Sequence, residues 1–212
     1  MPNTTPPPVS RATARGTQRG VSLIVVLLIL VIVSILGAGG AQIAMMAERG
    51  ARNDRDMQVA WQAAESALMD AEFDIHGPNT SASKRLSVFA DMHDTNAFIL
   101  GCGNGVGNRG LCALNETGQP AWLAIDLGAT GNGARSAAFG EFTGRTFDAS
   151  PSGTPVGIQP AQAPRYVIEP IRDPAERDLS VTAPLKYVYR ITAMGFGPRP
   201  DIRAVSQTIY RD

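Results

Sequence analysis

From Val21 to Ala47 the chain runs for 27 residues without a charge, "VSLIVVLLILVIVSILGAGGAQIAMMA". As a helix this run would span about 40 Å at ~1.5 Å per residue, more than the ~30 Å hydrocarbon core of a bilayer. Arg11, Arg15 and Arg19 precede it and no acid does. The amino-terminal flank is therefore expected in the cytoplasm and the rest of the chain on the far side of the membrane. The opening "MPNTTPPPVSRATARGTQR" offers no apolar face to bury and is expected to be disordered.

The helical pattern continues past the membrane-length run. In "GARNDRDMQVAWQAAESALMDAEFDI", Met57, Ala60, Trp61, Ala64, Leu68, Ala71 and Ile75 recur at spacings of three and four, as one buried stripe of an amphipathic helix does. Trp61 at this spacing is expected in the core. Asp54, Arg55, Asp56, Gln62, Glu65, Asp70 and Glu72 are assigned to the solvated opposite face, and Asp74 to the same rim. His76-Gly77-Pro78 ends the helix. The whole element, Val21 to about Ile75, would be some 80 Å long. Gly37, Gly39 and Gly40 lie within its apolar half, and each costs about 1 kcal/mol relative to alanine in a helix interior. They mark a place where the helix can loosen.

Residues 77–163 read as a loop-rich region. Two cysteines, Cys102 and Cys112, lie within "GCGNGVGNRGLC". An even count at short spacing in an exported chain points to a disulfide, with a pair of free thiols as the alternative. Closing so short a loop is worth about 2–3 kcal/mol on the chain-entropy estimate. Gly105 to Gly110 match G-x-G-x-x-G in form, but no strand leads in and no helix leads out, so a dinucleotide site is rejected. Short strands are expected at "PAWLAID" and "SAAFGEFTG".

Three segments near the carboxy terminus are rich in β-branched and aromatic residues: "PRYVIEPI" (164–171), "LKYVYRITAMGFG" (185–197) and "DIRAVSQTIYRD" (201–212). They read as antiparallel strands, with "GFGPRP" as the turn of a hairpin. The expected fold is α+β: a long helix, about 21–75, packed on a small antiparallel sheet of three or more strands.

Chemistry-bearing patterns are sparse. His76 and His93 stand alone, the serines lack a G-x-S-x-G elbow, and two cysteines are too few for a structural zinc site. Loss of the three leader arginines leaves 16 basic against 19 acidic residues, so no basic field for nucleic acid remains. Neither an enzyme nor a cofactor or metal is expected.

The basic leader "TQRG" followed by "VSLIVVLLILVIVSILG" is similar to a prepilin signal, and the long helix with a small antiparallel head resembles type IV pilins. More narrowly, "RDMQVAWQAAESALMDAE", "PRYVIEPI", "YRITAMGFG" and "RAVSQTIYR" look like the PilX branch of minor pilins. The likeness covers Arg19 to about Glu72 and Pro164 to Arg211; residues 77–163 match no pattern. It divides the chain into a leader (1–20), a membrane or filament-core half-helix (21–47), an amphipathic half-helix (48–76), a variable region (77–163) and the strands (164–212).

The resemblance implies that a prepilin peptidase cuts after Gly20 and that Val21 becomes the methylated amino terminus. The apolar helix would then leave the bilayer, with the help of the inner-membrane assembly machinery, and pack among other minor and major pilins. Met57, Trp61, Ala64 and Leu68 are the implied packing residues, and a tip adhesin is a further implied partner. Most pilins carry a glutamate five residues into the mature chain, where this one has Val25. A buried carboxylate needs a partner, taken to be the amino terminus of the preceding subunit. A subunit placed first has no predecessor, so Val25 marks a tip or priming position. Two rival readings stay open: the tip pseudopilin of a type II secretion system, and a membrane-anchored periplasmic binding module.

Overall fold

The computed structural model describes residues 21–147, 157–173, 175 and 185–211. The leader, Gly20 included, lies outside the described residues. Helix α1 spans Val21–His76 and continues unbroken through Gly37, Gly39 and Gly40. The chain divides after Gly50 into two compact units. In the first unit every described residue is exposed, as suits a helix that is apolar all round and whose partners would be lipid or other helices. By length and composition it can cross a membrane.

The second unit is an antiparallel sheet with α1 residues 51–76 against one face. The sheet is four-stranded, in the order β1 (Ala137–Ala138), β2 (Arg165–Arg172), β3 (Tyr187–Phe196), β4 (Arg203–Tyr210). The three long strands lie where their composition places them. Of "SAAFGEFTG" only Ala137 and Ala138 pair, with Tyr166 and Arg165. The strand expected at "PAWLAID" is instead a helical turn, α3 (Ala121–Ala124), begun by Pro120. A second short helix, α2, spans Leu86–Phe89.

Alternation along the strands builds two cores. On the helix side Tyr166, Ile168, Tyr189, Ile191 and Ala193 pack with Ala67, Ala71 and Ile75 of α1 and with Phe89, Phe98 and Phe142. On the far side Val167 packs with Cys102, Cys112, Ala121 and Leu127, and the half-buried Met194 joins them. β2, covered on both faces, is buried from Arg165 to Pro170. Strands buried on both faces lose the polar alternation that marks a one-sided strand.

Contact between α1 and β3 is close. A Cβ on Gly195 would collide with the backbone of Ala60, Ala63 and Ala64, so a hydrogen at position 195 and small side chains on the helix are what let the backbones meet. Ala60, Ala64, Ala67 and Ala71 are fully buried. The expected place of Trp61 in the core is corrected here: its side chain is 45% exposed. At this separation there is no room for an indole beneath the helix, and Trp61 turns to the flank.

Candidate functional site

The helix face assigned to solvent is in part the most buried polar surface of the head. Asp70 and Asp74 are both fully buried and Asp56 nearly so, which corrects their placement on a solvated rim. Asp70 accepts from the Gly140 amide at 2.7 Å and from the Thr143 hydroxyl at 2.5 Å. One turn on, Asp74 receives Nη2 of Arg85 at 2.6 Å, its Nε at 3.1 Å, and the Tyr166 hydroxyl at 2.9 Å. Arg85 is itself buried, lies 3.6 Å from the centre of the Phe142 ring and donates to the Arg109 carbonyl at 2.7 Å. Arg109 in turn pairs with Glu141 at 2.7 Å.

These bonds fasten the variable region to the helix. Thr80 N–H donates to the Thr143 carbonyl and Ser81 Oγ to that of Glu141, so the turn at 140–144 ties α1, the segment after it and the 103–111 loop together. Burial raises the Asp70 pKa, against the pull of the Gly140 amide and the Thr143 hydroxyl. Burial also raises Tyr166 well above its ordinary value, and the Asp74 charge adds to this. Tyr166 therefore stays a hydrogen-bond donor to Asp74. On the far face Glu169, also fully buried, meets Arg190 at 2.9 Å and the Ala121 amide at 3.2 Å.

A disulfide joins Cys102 and Cys112, both buried. The strip it closes lies against the outer edge of β2, bridged in parallel at Leu111 and Ile168. The Ile168 amide donates to the Gly110 carbonyl at 2.8 Å and the Cys112 amide to the Ile168 carbonyl at 2.9 Å. Gly110 has φ +77°, and a Cβ there would press on the backbone at Ala137 and Tyr166. It sits where the strip and β1 meet on β2. The glycines of the G-x-G-x-x-G string thus serve a tight loop, in which the Asn108 side chain accepts from Gly105 N–H at 2.9 Å.

The residues expected in processing and packing fall in both units. Val21 opens α1, and Val25 lies in its first turns, where no acidic residue occurs. In the head, Ala64 lies under the sheet, Met57 packs against Ala60, Ile202 and Ala204, Leu68 flanks the main core, and Trp61 is exposed. Sequence reasoning missed Asp70, Asp74, Arg85 and Glu169; a buried pair leaves no local signal when its partners come from distant turns. Both histidines are exposed. His76 stacks on Tyr210 and Phe73, and His93 Nδ1 lies 2.7 Å from the Leu185 carbonyl. Among the described residues no cluster of three or more His, Cys, Asp or Glu could hold a metal ion.

Comparison with known families places this architecture. Residues 19–68 match the family described as PilX N-terminal, and residues 108–212 match the one described as type IV pilus assembly protein PilX C-term. The second match begins well before Pro164, so a large part of the region that resembled nothing belongs to the family pattern too. It takes in the strip at Gly110–Cys112 and β1. No curated protein and no solved structure matches the chain. With an apolar half-helix, an amphipathic half against an antiparallel sheet, and both family patterns in their order, the chain belongs to the PilX family and is a minor pilin of a type IV pilus.

Proposed function

We propose that this minor pilin occupies the tip or priming position of its pilus and there promotes assembly, supporting adhesion, aggregation or twitching. The observation that carries this reading is Val25: the first turns of α1 hold no acid, so the subunit offers no carboxylate to a predecessor's amino terminus. Its own Val21 ammonium can still be neutralised by the glutamate of the pilin that follows. Before assembly the apolar half of α1 sits in the inner membrane with the head in the periplasm; afterwards the protein is on the cell surface.

Prepilin peptidase cuts after Gly20 and Val21 is methylated. Partners are other minor and major pilins, met through the apolar helix and the Met57, Trp61, Ala64 and Leu68 region, together with the assembly machinery and a tip adhesin. The role is structural and not enzymatic. Amino-terminal sequencing of the mature protein tests the processing: a methylated Val21 supports the pilin reading, and an unprocessed chain overturns it. Immunogold labelling tests the position. Label confined to fibre ends is expected, and even labelling along fibres, with Val25→Glu assembling as the parent does, sinks the tip assignment.

A further inference from the structure

The two outer edges of the sheet are finished differently. Along β2 the outer edge is taken from Arg165 to Ile168, first by β1 and then by the disulfide-closed strip. Among the described residues the outer edge of β4 has no such cover. Near the β3–β4 turn the Gly197 amide donates to the Ile202 carbonyl at 2.8 Å, so that pair is a hydrogen-bonded one. In the register Phe196↔Arg203 to Tyr189↔Tyr210, alternation then directs the N–H and C=O of Ala204, Ser206, Thr208 and Tyr210 to β3. Those of Arg203, Val205, Gln207 and Ile209 point outward. Among the described residues no backbone bond outside the β3–β4 ladder engages these four.

Natural edges are usually blunted by lysine, proline, bulges or inward charges. β4 has none of these between Arg203 and Arg211: "AVSQTIY" is uncharged and proline-free, and its register with β3 has no bulge. Val205 and Ile209 are 36% and 56% exposed on the far face. On the helix side Met57 packs against Ile202 and Ala204, and the exposed Trp61 lies one turn further along the same flank of α1. A strand laid along β4 would meet open backbone groups at its side and apolar surface on each face.

We propose that β4 receives, as a fifth strand, an extended segment of another pilus component that carries a carboxylate opposite Arg203. This rests on the reading of the chain as a filament subunit. Charge selects the occupant. The exposed Arg203 guanidinium donates to the Pro200 carbonyl at 3.1 Å and lies near the Phe196 ring; Asp126 lies close by, across Gly128, but among the described residues no carboxylate is in ion-pair contact with it. The neighbouring Arg199, itself exposed, forms a long 3.6 Å pair with the buried Asp56. A second copy fits less well, because two-fold antiparallel pairing of β4 would run residues 51–76 of the two α1 helices in opposite directions. Subunits that leave one membrane share a direction.

The test uses the full chain in fibres, with p-benzoylphenylalanine in place of Ile209 and, as control, in place of the exposed loop residue Val106. After irradiation, the expected adduct at 209 is a peptide of a different pilus protein that contains an Asp or Glu. Val205→Pro removes an outward N–H without touching the β3–β4 ladder, and Arg203→Glu reverses the selecting charge. Each is expected to lower the adduct yield about tenfold, the equivalent of roughly one strong contact, at unchanged amounts of chain in the fibre. Arg203→Glu changes only an exposed side chain and carries the test if the proline variant fails to fold. An adduct to a second copy or to lipid, a yield that neither variant moves, or no adduct from fibres that contain the chain overturns the proposal. Fibres without the chain would instead overturn the filament reading on which it rests.

Discussion

The two flanks of the head differ in how they satisfy their polar groups. On the β2 flank the chain closes on itself: Asp70 and Asp74 of α1 are met by Thr143, Gly140, Arg85 and Tyr166, and the sheet edge is taken by the disulfide strip. On the β4 flank the backbone groups of Arg203, Val205, Gln207 and Ile209 meet no backbone partner outside the β3–β4 ladder among the described residues, and Trp61 is exposed. A buried carboxylate is tolerated only where every partner is fixed, so the first flank has to be rigid. The contrast separates a surface committed to folding from the one proposed to take part in assembly.

Substitutions on the two flanks should therefore read out differently. The largest effect is expected for Asp74→Ala, which leaves Arg85 buried and unpaired. About 3–5 kcal/mol of stability should be lost, measurable as a lowered midpoint in urea unfolding; a loss below about 1 kcal/mol would mean that water reaches the pair. Gly195→Ala should follow at about 3 kcal/mol, since the added methyl meets helix backbone and not a side chain that can move. Replacing Cys102 and Cys112 together by serine should cost about 2–3 kcal/mol and speed hydrogen exchange at Ile168, whose amide the strip engages.

A smaller effect concerns pH. The Asp70 pKa is raised in the folded head by burial, so below the ordinary value of 3.8 both states hold the proton and nothing is lost. As pH rises from there towards the folded pKa the unfolded state ionises first, and the head loses stability across that window. Asp70→Asn should remove this fall, so the parent should gain stability relative to the variant as pH drops towards 3.8. A difference that does not change with pH would mean that the fold leaves the Asp70 pKa where it is in the unfolded chain. The smallest effect on stability is expected for Trp61→Ala, within about 0.5 kcal/mol, while incorporation into fibres falls. A large loss of stability with normal incorporation would erase the distinction between the flanks.

Much of the frame was legible in the sequence because it depends on local periodicity. The helix was expected to end near Ile75 and ends at His76. The three long strands and the turn between β3 and β4 fall within the segments read from β-branched and aromatic runs. Local reading failed where an element's state was decided by its neighbour. "PAWLAID" has the residues of a strand, but Pro120 starts a helical turn whose first amide caps the buried Glu169. Trp61 has the spacing of a core residue, but the approach of Gly195 to the helix backbone leaves room only for alanines. Of the candidate site, the cysteines and the Val25 substitution were visible as residues, while the Asp70 and Asp74 network was not.

By itself the sequence determined the long apolar helix, its amphipathic continuation, the three antiparallel strands and the family to which they belong, because each rests on side-chain pattern within a few consecutive residues. Only the tertiary structure decided which acids are buried, which edge of the sheet is covered and which face of α1 stays open. Those outcomes depend on groups far apart in the chain, such as Asp70 with Thr143 or Gly110 with Ile168. No local periodicity records such pairings; they exist only once the backbones have come close enough to exclude water.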